Sequence, residues 1–287
     1  MIWGFFALLA GLTYCVQSET NRHFKVDGFE LNTFRSLFSV VLLLPLIPLM
    51  EWPSIPEYYL VLLLEASISV VCMMAQYNLS AKKNGRIACL HQPIAILLTF
   101  MIWFALSPEQ RAVFFAHPEK AAYVATGFIL FFFGLQTIRK NDAGWSAFLA
   151  VMPIAVLYSI MAVVSKIALE QGENMLGISL NFVFLCNILM FLLSAPIYYG
   201  MKKASSLPRK TVYKASGYVA LAHSLSWFFF CLAVILTPNP AYVGVITGLA
   251  PLWFLLYYKI RKIDDDASPF GGLVIGAAAI IILFSSN

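Results

Sequence analysis

Two ionisable side chains, Glu65 and His223, lie in the middle of long apolar segments of the sequence. An ionisable group inside a bilayer costs about 2.5–3.5 kcal/mol on insertion scales, so each one needs a partner or a function to explain it. Histidine titrates near neutral pH, and a carboxylic acid in an apolar site can also hold a proton. We interpret the two residues as a proton-coupling or solute-binding pair; the alternative is that each bonds a neighbouring helix.

Other polar and aromatic side chains of the apolar segments could join them around a solute. Pro93 removes a backbone hydrogen bond one helical turn earlier, which frees carbonyl groups near His91. Aromatic rings can hold organic cations or planar solutes. The alternative for each of these rings and polar side chains is packing between helices, and for the tyrosines also placement at the membrane interface. The candidate binding residues are Tyr14, Glu65, Gln76, His91, Tyr158, Asn181, His223 and Trp227, with Asn187 as a further polar neighbour.

The composition indicates that lipid surrounds most of the chain that carries these residues. Of the 287 residues, 61% are hydrophobic and 11% are charged, and the mean hydropathy is +0.81. Soluble domains are about 45–50% apolar and about 25% charged. A soluble core stops growing at about 250–300 residues, so a water-soluble fold of this length could not bury so much apolar surface.

The same composition argues against several classes of protein. The net charge of +5 comes from basic residues scattered between apolar runs, which does not indicate a nucleic-acid partner. The five cysteines have no metal-ligand spacing, so we expect no metal site, no cofactor and no disulfide framework. The sequence following Met1 lacks a basic region, and we expect it to form a first membrane span rather than a signal peptide.

Ten segments are long and apolar enough to cross a membrane, which takes about 20 residues. They lie near 2–18, 30–50, 57–79, 86–106, 121–138, 144–168, 176–199, 212–236, 240–260 and 269–285. Segments of this length favour helices over barrel strands. We therefore predict an all-α integral membrane protein with ten transmembrane helices.

Traces of an internal repeat divide these ten segments into two groups of five. At an offset of 144, Tyr14 matches Tyr158; at an offset of 158, Pro93 matches Pro251. The second offset also relates Glu65 to His223. Because five is odd, the second copy crosses the membrane in the opposite sense, as in many secondary transporters. We predict two inverted five-helix repeats, 1–142 and 143–287, that form one membrane domain.

Several short motifs resemble the drug/metabolite transporter superfamily, in particular its ten-helix EamA-type members. They are Trp3-Gly4 in the first segment, Asn32-Thr33-Phe34-Arg35 in the second, Asn78-Leu79-Ser80-Ala81 before the fourth, Pro93 and Pro251, and the glycine pairs Gly127/Gly134 and Gly272/Gly276. The resemblance covers the whole length. It implies a transporter of small organic solutes and does not name the solute.

The orientation in the membrane has two interpretations. Fifteen of the 19 Lys and Arg residues follow odd-numbered segments and three follow even-numbered ones, and basic loops are cytoplasmic. This bias places both termini outside the cell, whereas the resemblance implies that both are inside. We expect a bacterial cytoplasmic (inner) membrane in either case.

Three side chains near segment ends have structural interpretations. We expect the long stem of Arg35 to carry its charge to the membrane interface and to make a structural hydrogen bond, and Lys166 and Glu170 to form an ion pair at positions i and i+4. The small residues around Gly272 and Gly276 make a flat helix face, which serves either a homodimer or packing within a monomer.

The leading functional hypothesis is a secondary transporter that moves a small polar organic metabolite (an amino acid, amine or nucleoside-like solute) by alternating access. Coupling to protons and coupling to the solute's own gradient both remain open. The alternatives are a multidrug or lipid-precursor exporter on the same fold and, in a different class, an intramembrane transferase. A transferase would need clustered carboxylates or a nucleophile with a base, and the sequence has one midspan acid, so we expect no enzyme.

Overall fold

The computed structural model describes residues 2–82, 91–138, 145–200, 207–262 and 268–285, which contain helices and no β-strand. The helices are α1 (Ile2–Phe24), α2 (Gly28–Leu43), α3 (Pro56–Lys82), α4 (Gln92–Leu106), α5 (Pro108–Ala116), α6 (Pro118–Ile138), α7 (Trp145–Leu169), α8 (Met175–Gly200), α9 (Arg209–Leu236), α10 (Pro240–Thr247), α11 (Ala250–Arg261) and α12 (Pro269–Ser285). A 3₁₀ helix, Leu44–Leu49, continues α2. Helices satisfy their own backbone groups, which a lipid environment requires.

Seven helical segments of the described residues are long and apolar enough to cross a membrane. They are Gly28–Leu49, Pro56–Ala81, Pro118–Thr137, Met152–Leu169, Met175–Gly200, Arg209–Leu236 and Pro240–Arg261, and two shorter apolar helices are Ile94–Leu106 and Pro269–Ser285. The protein is therefore an all-α integral membrane protein, as the composition predicts. The count of ten crossings and the inverted repeat remain predictions.

The ninth apolar segment is broken in the middle. Helix α10 ends at Thr247, and the Gly248 amide bonds the Gly244 carbonyl at 2.7 Å before α11 begins. A Cβ at Gly248 would lie 2.7 Å from the Phe131 ring, so a side chain at this position would collide with the ring and glycine fits. Pro251 has no N–H to bond the Thr247 carbonyl, which explains why the break falls one turn before the proline.

The loop expected at 107–120 contains the short helix α5. The Ser107 hydroxyl accepts a hydrogen bond from the Gln110 amide, and Pro108 occupies the first turn, where its missing N–H is not needed. These two local signals explain why a helix forms in the stretch between the fourth and fifth apolar segments.

The helices pack as a bundle in which α1 lies against α9, α2 against α8, and α4 against α7. Helix α12 packs on α6 through small residues: a Cβ at Gly134 would lie 2.9 Å from the Gly271 carbonyl oxygen. Part of the flat face predicted on the last helix thus packs inside one molecule. A Cβ at Gly276 would meet no described atom within 4 Å, so packing between two copies stays an open expectation.

The buried charges near the helix ends behave differently from one another. The Lys166 ammonium forms the expected ion pair with Glu170 at 3.0 Å and also donates to the carbonyls of Val234, Ile235 and Thr237 at the end of α9. A cation at a helix C-terminus satisfies carbonyl groups that the helix leaves unpaired. Arg35, by contrast, is fully buried, so the expectation that it reaches the membrane interface is wrong. The expected structural hydrogen bond is confirmed, since Arg35 Nη1 donates to Asn187 at 2.9 Å.

Candidate functional site

A cavity with a volume of about 160 Å³ lies inside the bundle. Helices α1, α3, α4, α7, α9 and α10 line it with small, aromatic and polar side chains. These are the first, third and fourth spans of each predicted half. Six of the eight candidate residues line the cavity: Tyr14, Glu65, His91, Tyr158, His223 and Trp227.

Glu65 is the carboxylic acid of this cavity lining and is fully buried. One of its oxygens, Oε1, accepts a hydrogen bond from the Ser165 hydroxyl on α7 at 3.1 Å. Its other oxygen, Oε2, has no hydrogen-bond partner among the described residues. A buried carboxyl with an unpaired oxygen loses hydration without full compensation, so Oε2 is a hydrogen-bonding position that the described residues leave unfilled.

His223 presents a second unpaired atom to the same cavity. Its Nδ1 lies 3.0 Å from the Gln17 amide oxygen on α1. Because an amide oxygen only accepts hydrogen bonds, this arrangement assigns the ring proton to Nδ1 and leaves Nε2 as the acceptor of the neutral ring. Among the described residues Nε2 has no partner. The Trp227 ring, one helical turn away, lies 5.1 Å from the imidazole between ring centroids.

An aromatic stack forms another part of the cavity lining. The His91 and Tyr158 rings lie 4.3 Å apart between centroids and are nearly parallel, at 23°. The Tyr158 hydroxyl donates to Gln76 Oε1, and Gln76 Nε2 lies 3.5 Å from the Ser18 hydroxyl. Gln76 therefore supports the stack from behind and does not line the cavity. The carbonyl that Pro93 frees, at position 89, lies outside the described residues.

Asn181 and Asn187 serve helix packing away from the cavity. The Asn181 amide oxygen accepts from the Tyr58 hydroxyl at 2.9 Å, which joins α8 to α3. The Asn187 amide oxygen accepts from Arg35 Nη1 at 2.9 Å, which joins α8 to α2. Neither asparagine is among the residues that line the cavity.

Several uncharged polar residues of the lining were missed from the sequence: Gln17, Ser69, Thr99, Ser165 and Ser226. Hydroxyl groups are common in apolar helices because they can bond their own backbone, so each one alone is a weak signal. Helical spacing would have found three of them. Gln17 is three residues after Tyr14, Ser69 is four after Glu65, and Ser226 is three after His223, so each shares a helix face with a candidate.

The part of the chain that the structure describes contains no cluster of metal-ligating side chains. No three His, Cys, Asp or Glu residues there come close enough together to hold an ion. Four of the five cysteines are buried thiols, and Cys89 lies outside the described residues. The expectations of no metal and no cofactor stay expectations.

Comparisons with known proteins show the fold and no family. No family model and no curated protein matches the chain. Among solved structures, a crystal structure described only as that of a protein superposes with a TM-score of 0.69. It is 14% identical in sequence, and the match covers 99% of this chain and 97% of that one. The whole bundle therefore has a known architecture.

Proposed function

We propose that the protein is a secondary transporter that moves a small polar organic metabolite across the membrane by alternating access around the central cavity. The observation that carries the proposal is the cavity itself, which holds Glu65 Oε2 and His223 Nε2 without partners among the described residues. Unpaired polar atoms at the centre of an apolar bundle are costly to maintain, and a passing solute that pairs them accounts for both.

The proposal includes ten helices in two inverted five-helix repeats, 1–142 and 143–287. The matching contributions of the two halves to the cavity support it. So does a pair of related contacts. Asn21 donates to the Tyr77 carbonyl at 2.9 Å, and Lys166 donates to the Ile235 carbonyl at 3.2 Å. The carbonyls are related by the offset of 158, and the donors fall at an offset of about 144.

The offset also relates Glu65 to His223, which we propose as the residues that couple transport to protons. Both line the cavity and both can take up and release a proton. Coupling to the solute's own gradient is the alternative. The same proposal includes three further expectations. The protein is related to EamA-type transporters, lies in a bacterial inner membrane and has no enzymatic activity.

The volume of the cavity favours a small metabolite over the bulky substrates of a multidrug or lipid-precursor exporter. Pockets for drug-sized ligands occupy about 300–1,000 Å³, and this cavity occupies about 160 Å³. The aromatic stack of His91 and Tyr158 is the one observation that favours a drug exporter, because flat rings hold planar cations.

Flux through proteoliposomes tests the proposal. Vesicles that contain the purified protein would be loaded with a defined mixture of isotope-labelled alanine, ethanolamine and adenosine. Mass spectrometry would follow the release of these solutes. We expect at least one solute to leave faster than from protein-free vesicles.

Ala162→Trp, which fills the cavity, should stop the release. Gly217→Trp, where a Cβ would meet no described atom within 4 Å, should preserve it. Equal release from all vesicles contradicts transport of these solute classes.

A further inference from the structure

Given the transport function proposed above, we infer that the cavity selects a small organic ammonium ion that carries N–H donors, and that this ion and a proton compete for the carboxyl group of Glu65. The inference names the substrate class of the cavity and goes beyond the general metabolite. It rests on three properties of the described lining: the chemistry of its unpaired atoms, the aromatic rings beside them, and the distribution of charge around Glu65.

The unpaired atoms of the lining accept hydrogen bonds. Glu65 Oε2 is a carboxyl oxygen, and His223 Nε2 is the lone-pair nitrogen once Nδ1 donates to Gln17. A primary ammonium has three donors and no acceptor, so it complements two acceptors with one donor to spare. A carboxylate or phosphate would instead place its own oxygens against these acceptors, which is unfavourable in a site that excludes water.

The rings beside these atoms favour a positive charge. Tyr14, Tyr158 and Trp227 line the cavity together with the two acceptors. The faces of aromatic rings attract cations by about 0.5–1 kcal/mol at exposed sites and about 2 kcal/mol where water is excluded. A neutral alcohol or amide would gain the hydrogen bonds and none of this attraction, so the lining discriminates by charge as well as by hydrogen bonding.

The groups around Glu65 leave it as the carboxyl at which a proton and an ammonium ion compete. The titratable groups that face this region are Tyr14 on α1, Cys72 on the same helix, His91 before α4, Tyr158 on α7, Cys186 on α8, and His223 and Cys231 on α9. Arg35 on α2 is the nearby fixed cation, and its two terminal nitrogens donate to neutral side chains. No second acid lines the cavity within the described chain. An ammonium ion that binds the Glu65 carboxylate therefore displaces its proton. The proton leaves for solution, because on His223 it would create a second cation beside the ammonium ion and remove the Nε2 acceptor.

Proton release on binding gives a direct test with the purified, detergent-solubilised protein. Ethylammonium chloride is the probe, added to weakly buffered protein near pH 7 that contains a pH-indicator dye. We expect saturable release that approaches one proton per protein molecule. Tetramethylammonium, which has the charge and no N–H donor, should release at least tenfold less at the same concentration. Sodium acetate should release none.

Two variants on one helix assign the release to Glu65. Glu65→Gln keeps the shape of the side chain and should abolish the release, whereas Glu57→Gln, at an exposed position of α3, should release protons as the unmodified protein does. If Glu65→Gln does not fold, Glu65→Asp keeps the acid and withdraws it from the cavity, and its half-saturation concentration should rise at least fivefold. Any one of three results overturns the inference: proton release that persists in Glu65→Gln, no release from the unmodified protein, or an unchanged half-saturation concentration in Glu65→Asp.

The outcome for this inference is separable from the outcome for transport. If vesicles carry alanine or adenosine and 10 mM ethylammonium does not inhibit the flux, transport stands and the ammonium class is wrong. If ethylammonium releases a proton in detergent and no solute crosses the vesicle membrane, the cation site stands and the transport function is wrong.

Discussion

Glu65 and Arg35 are both fully buried ionisable residues, and their surroundings differ. Glu65 lines a cavity, makes one side-chain hydrogen bond with Ser165, and keeps Oε2 unpaired among the described residues. Arg35 lies outside the cavity lining. Its Nη1 donates to Asn187 at 2.9 Å, and its Nη2 donates to Asn32 at 2.7 Å and to Ser36 at 3.1 Å.

The difference separates a charged residue that joins two helices from one that we propose binds a ligand. The Arg35 cluster, which we define as Arg35, Asn32, Ser36 and Asn187, joins α2 to α8 through bonds that the protein supplies itself. Within the described residues two donors of the cluster, Arg35 Nε and Asn32 Nδ2, have no partner, and neither residue lines the cavity. Changes in this cluster should therefore alter the stability of the fold, and changes around Glu65 should alter binding.

The largest expected effect follows from removing the cation of the cluster. Arg35→Met leaves the amide oxygens of Asn32 and Asn187 buried without a donor, at about 1–3 kcal/mol for each. We expect the free energy of unfolding, measured by denaturant titration in mild detergent, to fall by about 2–6 kcal/mol. Any folded fraction should still release a proton on binding ethylammonium.

A matched variant distinguishes lost bonds from lost charge. The triple change Arg35→Met, Asn32→Leu and Asn187→Leu leaves none of these amide groups unpaired, so it should recover most of the lost stability. Arg35→Met unfolding at the same denaturant concentration as the unmodified protein would show that the cluster contributes nothing to the fold.

A smaller effect is expected at His223, on the cavity side of the comparison. In His223→Asn the amide nitrogen can take the place of Nδ1 and keep the bond to Gln17, but nothing replaces Nε2. Losing one hydrogen bond to an ammonium ion should raise the half-saturation concentration of ethylammonium about tenfold, which corresponds to about 1.4 kcal/mol. His117→Asn, at the exposed position that follows α5, should leave the half-saturation concentration unchanged. Unchanged ethylammonium binding in His223→Asn would remove the imidazole from the proposed site.

The fold and the centre of the site could be predicted from the sequence because both depend on signals that lipid makes strong. Long apolar runs give helices, and midspan acids and histidines are rare enough that Glu65 and His223 stand out. The spacing between two residues, however, shows only whether they share a face of the same helix. Nothing in the sequence shows that Ser165 faces Glu65, a contact between residues 100 positions apart.

Arg35 shows where such reasoning fails. A long basic side chain near the start of an apolar segment usually reaches the interface. Here α2 begins after the N-cap Asp27, which places Arg35 two turns inside the helix. Its partner Asn187 lies 152 residues away in the chain. The same long-range partnering decides between the two interpretations of the asparagines of α8 in favour of helix packing.

The smallest effect should come from Asn181, which the sequence suggested as a binding residue and which the structure places with Tyr58. Hydrogen bonds between membrane helices contribute about 0.6 kcal/mol on average and about 1.7 kcal/mol at most. Asn181→Leu should lower the free energy of unfolding by about that amount because the Tyr58 hydroxyl loses its acceptor, and Tyr58→Phe in the same chain should restore part of it. Ethylammonium half-saturation should stay within twofold of the unmodified protein. Tenfold weaker binding in Asn181→Leu with normal stability would mean that α8 contributes directly to the solute site. The separation of helix-packing residues from cavity residues proposed above would then be wrong for this helix.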